Sequence, residues 1–389
     1  MIENLLARAG GGGSHSGGGS GGYSSSYGGY TGTGSSGTGG SFLDLLFWLL
    51  VIILFVARIA RISRTSKKAP VSVRVQNNNH PEYSTYVEAF FPRFQAAWSN
   101  FDLNVVDHEL TDEFQEKMAL ELSVLKALRR RNLIQNPKIS RLNIVAATAD
   151  SFTAEITASA DDQLIDLVSE KILFKDTSVF TERWNFTVRD GKYLLSSIGQ
   201  QTEERALSST AIEQFSRKNG FHYDPDFGWL MLPSRGALFA GGVFGTSDIN
   251  NHCIGRYQNV TVEMYSYSAD GSNSLITKPF IVMQAVLPSV YRDILVVRRE
   301  AFSFKPKGLV ERRLESPDFT ALYRLFADPL DQYPLWKLLS PTFMEKLTAL
   351  PFKVGIEVVD SFLYFFTQDD NVSYDELLPI LDWAFTAMR

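Results

Sequence analysis

A single cysteine, Cys253, in 389 residues leaves no intrachain disulfide and no cysteine-based zinc site. That fits a reducing compartment, and Cys253, inside NNHCIGRY, reads as a small buried residue rather than a nucleophile. Positive charge is not in excess either. Lys and Arg number 38 against 43 Asp and Glu, for a net charge of −5. A general nucleic-acid binder would show a basic footprint at domain level, so no nucleic acid is expected as a partner. Histidines number five, and His15 and His80 fall in a low-complexity tail and a linker. Beyond the first 41 residues there is no G-x-G-x-x-G, no G-x-S-x-G and no H-E-x-x-H. The glycines of RGALFAGGVFGTS, Gly236, Gly241, Gly242 and Gly245, are not followed by Lys-Ser or Lys-Thr, so they form no phosphate loop. They fit tight turns and close packing instead. No cofactor and no metal is expected, and the expectation is a protein that is not an enzyme.

What the chain does have is one undiluted apolar run, FLDLLFWLLVIILFVA at 42–57. As a helix it spans about 24 Å, and extension to residue 62 brings it to the roughly 30 Å of a hydrocarbon core. Arg58, Arg61, Arg64, Lys67 and Lys68 follow at once, and Arg58 and Arg61 can lift their guanidinium groups to the headgroups. Before the run the one cation is Arg8, so the positive-inside rule puts everything after it in the cytoplasm. Asp44 sits near the outer end, where a charge costs less than at the midplane. A cleaved signal peptide would lie nearer the N-terminus and end in small residues, and a buried core helix would not stand between glycines and arginines. An interfacial helix is the remaining alternative. The expectation is a single-pass anchor at 42–62 in the cell (inner) membrane, N-terminus outside. The basic stretch 63–82 either sets topology alone or also binds anionic lipid headgroups.

Residues 1–41 are largely Gly, Ser, Thr and Tyr and should be a disordered tail. After Ala69-Pro70 and NNNHP the pattern turns helical. Tyr86, Phe90, Phe91, Phe94, Ala97, Trp98 and Phe101 recur at spacings of three and four, giving one aromatic face. A second helix opens on Thr111 as N-cap, buries Phe114, Met118, Leu122, Leu125 and Leu128, and ends near Arg129, Arg130 and Arg131. Strands are expected at 138–148, 152–160, 178–188 and 192–198, the last two joined by a tight turn at Arg189-Asp190-Gly191. Helices followed by an antiparallel meander describe an α+β domain over 83–202.

That order, with the helices PRFQAAWSNFDL and DEFQEKMALELSVLKALRRRN and the closing hairpin FTERWNFTVRDGKYLLSSIG, resembles the Tim-forty-four-like domain. The family is named for the peripheral anchor of the mitochondrial protein-import motor and also occurs in bacteria behind a single membrane segment. The match covers about 120 residues and is most specific in the hairpin. There Trp184, Asp190-Gly191, Leu195 and Ile198 fit the family's "W-x-F … D-G-x-W-x-L-x-x-I" ending, with Tyr193 in place of its Trp. The resemblance implies a nuclear-transport-factor-two-like cone, in which a curved sheet encloses an apolar pocket. It also implies membrane association, a possible lipid or acyl-chain cavity, and docking of partner proteins. Mitochondrial members carry a long charged amphipathic region ahead of the domain. Here the apolar run stands in its place, so chaperone docking is not carried over.

A second, strand-rich α+β domain is expected over 206–389. It opens with a helix at 206–219 capped by Gly220, continues with strands at 251–268, 276–287, 293–299 and 354–367 and a helical stretch near 335–348, and closes on an amphipathic helix at 374–388. Ile254-Gly255-Arg256-Tyr257, the alternation from Val260 to Tyr267, and the terminal helix resemble a bacterial domain family of unknown function found behind membrane segments. A strand-rich unit closed by a helix is also similar to pleckstrin-homology-like domains, at the level of fold analogy.

Candidate chemistry is sparse. His108, between Asp107 and Glu109, is the one acid/base candidate of the first domain, and such a group is most simply a solvated surface residue. His222 and His252 with Asp224, Asp226 and Asp248 make a weak metal set, because spacing alone does not bring them together. The sequons at Asn185, Asn259 and Asn371 are read as chance. The aromatic residues Phe90, Phe94, Trp98 and Phe101, with Trp184, are either ordinary core or the wall of an apolar cavity that takes a lipid chain. The expected function is a non-enzymatic adaptor that presents protein- or lipid-binding domains at the cytoplasmic face, in protein export or envelope assembly, with membrane lipid and a membrane or envelope protein as partners. Lipid binding or transport through the 83–202 pocket is the alternative, and a cone-fold enzyme using His108 the second.

Overall fold

The computed structural model describes residues 80–200, 210–224, 230, 235–239, 249–267, 279–299, 306, 308–330, 337–369 and 371–388. The tail, the apolar run and the basic residues Arg58, Arg61, Arg64, Lys67 and Lys68 lie outside them. Among the described residues no helix is long and apolar enough to cross a membrane.

The chain is α+β, with two antiparallel sheets among the described residues. Helix α1, Pro81–Ser99, starts with proline in its first turn, where the missing N–H costs nothing. It buries Phe90, Phe91, Phe94, Ala97 and Trp98, as the spacing predicts. Phe101 departs from the expectation. The helix ends at Ser99, and Phe101 takes a left-handed backbone (φ 56°), half-buried, with the Lys126 ammonium 5.4 Å above its ring. Two short 3-10 turns, Leu103–Val105 and Asp107–Glu109, lead to helix α2, Asp112–Ala127. Thr111 caps α2 by accepting a bond from the Phe114 N–H at 3.4 Å.

Helix α2 ends just ahead of the three arginines, close to where the sequence expects, but only Arg129 belongs to its terminus. Arg129 adopts φ 54°, the left-handed stop common past a helix C-terminus, and Arg130 opens strand β1, Arg130–Ala147. Burial alternates along Arg130, Asn132 and Ile134, so polar side chains sit inward where a pattern search expects apolar ones. Strands β2 (Ser151–Asp166), β3 (Ile172–Asp176), β4 (Val179–Arg189) and β5 (Lys192–Gln200) complete the first sheet, ordered β1-β2-β4-β5 with β3 also on β2. The β4–β5 turn is as expected: Arg189 pairs with Lys192, and Asp190 and Gly191 have φ of 51° and 72°, the two positive values a type I′ turn requires.

The second sheet follows helix α3, Thr210–Asn219, which ends at Gly220 with φ 67°. Its strands are β6 (His222–Tyr223), β7 (Ile249–Tyr257), β8 (Val260–Tyr267), β9 (Phe280–Arg298), β10 (Val310–Arg312), β11 (Tyr323–Ala327) and β12 (Gly355–Thr367). They are ordered β10-β11-β9-β8-β7-β6, with β12 along β9. The stretch expected as one strand at 251–268 is a hairpin, because Gln258 and Asn259 (φ 49° and 65°) turn the chain between paired Tyr257 and Val260. Conversely, the two strands expected at 276–287 and 293–299 are one strand running through Pro288. Helices α4 (Pro317–Leu322), α5 (Pro341–Thr348) and α6 (Tyr374–Met388) complete the described elements.

Period-two alternation sorts the second sheet into two apolar clusters. Met264, Met283, Ile294, Val296, Leu363 and Phe365 join Phe215 of α3, Phe343 of α5 and Leu381 of α6 in one cluster. Their neighbours Tyr265, Val282, Leu295, Val297, Tyr364 and Phe366 belong to another, which also contains Phe90, Phe94, Trp98 and Trp184. Helix α2 ties the two sheets together: Ser123 Oγ lies 3.1 Å from Thr261 Oγ1, and Lys117 reaches Asp224.

Candidate functional site

The aromatic residues singled out in the first domain are brought together, except for Phe101. Ring centroids of Phe94 and Trp184 are 5.3 Å apart, those of Phe91 and Trp184 5.2 Å, and those of Phe90 and Phe94 5.8 Å, all within the range of direct ring contact. Each of these side chains is buried. Polar tips are satisfied: Trp98 Nε1 donates to Asn132 Oδ1 at 2.9 Å, and Trp184 Nε1 donates to Glu182 Oε2 at 2.9 Å. Asn132 in turn donates to Asp162 at 2.6 Å, which explains the inward polar residues of β1 and β2.

His108 is exposed, with Nδ1 3.2 Å from Asp107 Oδ1 and Nε2 3.8 Å from Glu109 Oε2. Glu109 is held instead by Arg93, at 2.5 Å, and by the Tyr86 hydroxyl, at 3.0 Å. Burial, followed by the Glu109 charge, pushes the Tyr86 phenol well above its ordinary pKa.

His222 and His252 are not joined into a metal set. Among the described residues no group of three or more His, Cys, Asp or Glu could hold an ion, and Asp226 and Asp248 lie outside them. His252 is instead part of a buried polar chain that no sequence spacing announces. Its Nδ1 lies 3.2 Å from the Asp224 carbonyl and its Nε2 3.0 Å from Glu263 Oε1. Gln284 donates to Glu263 Oε2 at 2.6 Å, and the Tyr265 hydroxyl donates to Gln284 Oε1 at 2.8 Å. Asp224 continues the chain to Lys117, which also lies 3.8 Å from Glu121 on the next turn of α2. Neither oxygen of Glu121 has a hydrogen-bond partner among the described residues. Burial holds the carboxyls of Glu121 and Glu263 above their ordinary range.

Among the described residues, clefts open on the surface. One, of about 610 Å³, lies between α4 and α5, with Glu315, Asp318 and Glu345 beside Leu314, Leu339 and Met344. Another, of about 290 Å³, lies where the α2–β1 turn meets the bend of β12, lined by Arg129, Arg130, Arg235, Asp166, Asp360 and Tyr364 with Val168 and Val290. Arg235 forks between Asp360 (2.7 Å) and Asp293 (3.0 Å). Asp166 is held by the N–H groups of Val168 and Ser169 and by the Ser169 hydroxyl, and the backbone bond from Ser169 leads in holding its carboxyl below the usual range. Arg130 is buried and donates to the Leu230 carbonyl at 3.2 Å, and burial lowers its pKa to about 10. The signal for this cleft was present in the sequence as the Arg129-Arg130-Arg131 run, assigned there to a helix end.

Among the described residues, fold and clefts together define an α+β protein in which two antiparallel sheets are joined through helix α2. No family model matches the chain, and no curated protein matches it. Among solved structures, the crystal structure of the mycobacterial trehalose monomycolate transport factor A, TtfA, is similar over 46% of this chain and 90% of that chain, at 9% identity and a TM-score of 0.31.

Proposed function

We propose that the chain is a non-enzymatic adaptor anchored by residues 42–62 in the cell membrane, N-terminus outside, with residues 80–389 on the cytoplasmic side. The observation that carries this reading is the apolar run followed at once by Arg58, Arg61, Arg64, Lys67 and Lys68, the pattern that fixes a single-pass segment with its following domain inside. The Tim-forty-four-like reading of 83–202, with its cone fold, draws support from the β4–β5 hairpin. Trp184 and Leu195 of the motif are wholly buried there, and Asp190-Gly191 forms the turn. The contact among Phe90, Phe94 and Trp184 favours partner docking on the outside of this domain over a lipid chain within it. The basic stretch engages anionic headgroups, each cation near the surface adding about 1 kcal/mol.

The test is protease protection in sealed cells and in inverted membrane vesicles. The adaptor reading expects residues 80–389 to be shielded in intact cells, cleaved in inverted vesicles and retained with membranes after a high-salt wash. Digestion of the C-terminal bulk in intact cells would reverse the topology. Release by salt would replace the anchor by a peripheral contact.

A further inference from the structure

The 290 Å³ cleft has features that the adaptor reading does not use. Arg129 is exposed at its mouth, held in a left-handed backbone conformation that a side chain rarely adopts, and its guanidinium has no ion-pair or hydrogen-bond partner among the described residues. The backbone there is pinned, because the Leu167 N–H donates to the Arg129 carbonyl at 2.7 Å. A constrained position carrying an unpaired cation at a cavity mouth is preorganised for an anion. Arg130 and Arg235 add two more cations. The carboxylates beside them are engaged, Asp360 by Arg235 and Asp166 by the turn at Val168 and Ser169. Arg235 is shared between Asp360 and Asp293 and Arg130 is turned to the Leu230 carbonyl, so the cation left for an incoming anion is Arg129.

Tyr364 lines the same cleft. Its side chain is wholly buried, and its hydroxyl has no hydrogen-bond partner among the described residues, although a buried hydroxyl ordinarily finds one. The rim, by contrast, is apolar and wet: Val168 is 66% and Val290 59% exposed, with Leu167 beside them at 48%. Cations at the centre and uncovered aliphatic groups at the edge match a ligand that is anionic at one end and hydrocarbon at the other. The volume suits a headgroup and the first few carbons rather than a whole lipid.

We propose that this cleft binds the phosphate headgroup of an anionic phospholipid, with Arg129 on the phosphate, Tyr364 donating to it from below, and Val168 and Val290 against the start of the acyl chains. The lining of the site includes no residue of the basic stretch and none of Phe90, Phe94, Trp98 and Trp184, and it stands or falls apart from the adaptor reading.

The test uses the full chain purified in detergent, titrated with dihexanoyl phosphatidic acid, inorganic phosphate and dihexanoyl phosphatidylcholine. Phosphatidic acid should bind at least about tenfold more tightly than either of the others, since charge-assisted contacts and the apolar rim are engaged together. Arg129→Gln should weaken it by about tenfold without shifting the thermal melt. Tyr364→Phe should weaken it several-fold while leaving stability equal or higher, because it removes an unsatisfied hydroxyl. A purely structural tyrosine would leave affinity unchanged. Equal binding of inorganic phosphate and phosphatidic acid, equal binding of the two lipids, or affinities indifferent to both substitutions would each overturn the proposal.

Discussion

The ring of Phe366 lies directly over the α-carbon of Gly355, although both residues belong to the same strand, β12. A straight strand would hold them roughly 36 Å apart. They meet because β12 bends at Asp360, whose φ of 53° accompanies register shifts against β9 on either side. A Cβ at Gly355 would come within 2.1 Å of a ring carbon of Phe366, so Gly355→Ala should destabilise the protein by about 1 to 3 kcal/mol, as overpacking does. Combining it with Phe366→Leu should cost less than the sum of the two single changes. Urea melts of the three variants measure this, and strict additivity would show that ring and glycine do not touch.

The first-domain aromatic cluster allows a sharper distinction between filled core and cavity wall. Phe94 is buried between Phe114 and Trp184, with ring centroids 6.2 and 5.3 Å away. Truncation to alanine in a filled core should cost about 3 to 5 kcal/mol. A residue lining an open, solvent-filled pocket would cost far less. A loss below about 1 kcal/mol on Phe94→Ala would restore the lipid cavity within residues 83–202.

Lys117 is the cation on which two buried carboxylates depend. It pairs with Asp224 and approaches Glu121, and the coulombic pull of Lys117 opposes the burial that raises the Glu121 carboxyl. Lys117→Met should therefore destabilise by about 3 to 5 kcal/mol, the cost of leaving buried charge uncompensated. Adding Glu121→Gln should recover part of the loss. A double variant no more stable than Lys117→Met alone would mean that Glu121 is already neutral at the pH of the measurement.

Much of the fold is legible from periodicity alone, and the exceptions have physical causes. The face of α1, the Thr111 cap, the Asp190-Gly191 turn and the terminal helix follow from spacing and capping, because each is specified by neighbours in sequence. The start of β1 is hidden because Arg130 and Asn132 point inward, and they are tolerated there by the Leu230 carbonyl and by Asp162 and Trp98, groups remote in sequence. The hairpin at Gln258 and Asn259 was missed because neither residue is glycine, although both adopt positive φ. The buried chain from Lys117 to Tyr265 draws on α2, β7, β8 and β9, and the Arg129 cleft draws on the α2–β1 turn and the bend of β12. No window of sequence contains either.

Glu357 supplies a pH dependence whose sign is fixed by burial. Its carboxylate accepts the N–H groups of Ala237 at 2.5 Å and Leu238 at 3.0 Å, beside Gly236, whose φ of 106° lets the chain turn there. Those bonds favour the charged form, but burial outweighs them and raises the pKa to about 7. A carboxyl raised above its unfolded value contributes stability in full below about pH 4.5. It loses that contribution as pH climbs to about 7, a change of up to about 3 kcal/mol. Glu357→Gln cannot ionise, so the difference between wild-type and variant urea midpoints should shift in favour of the variant from pH 5 to pH 7.5 and level off above. Burial raises Glu121 and Glu263 in the same direction, so some slope remains in the variant. A wild-type minus variant difference that is flat across this window would mean that Glu357 ionises at its unfolded pKa and that the two N–H bonds, not burial, set its charge.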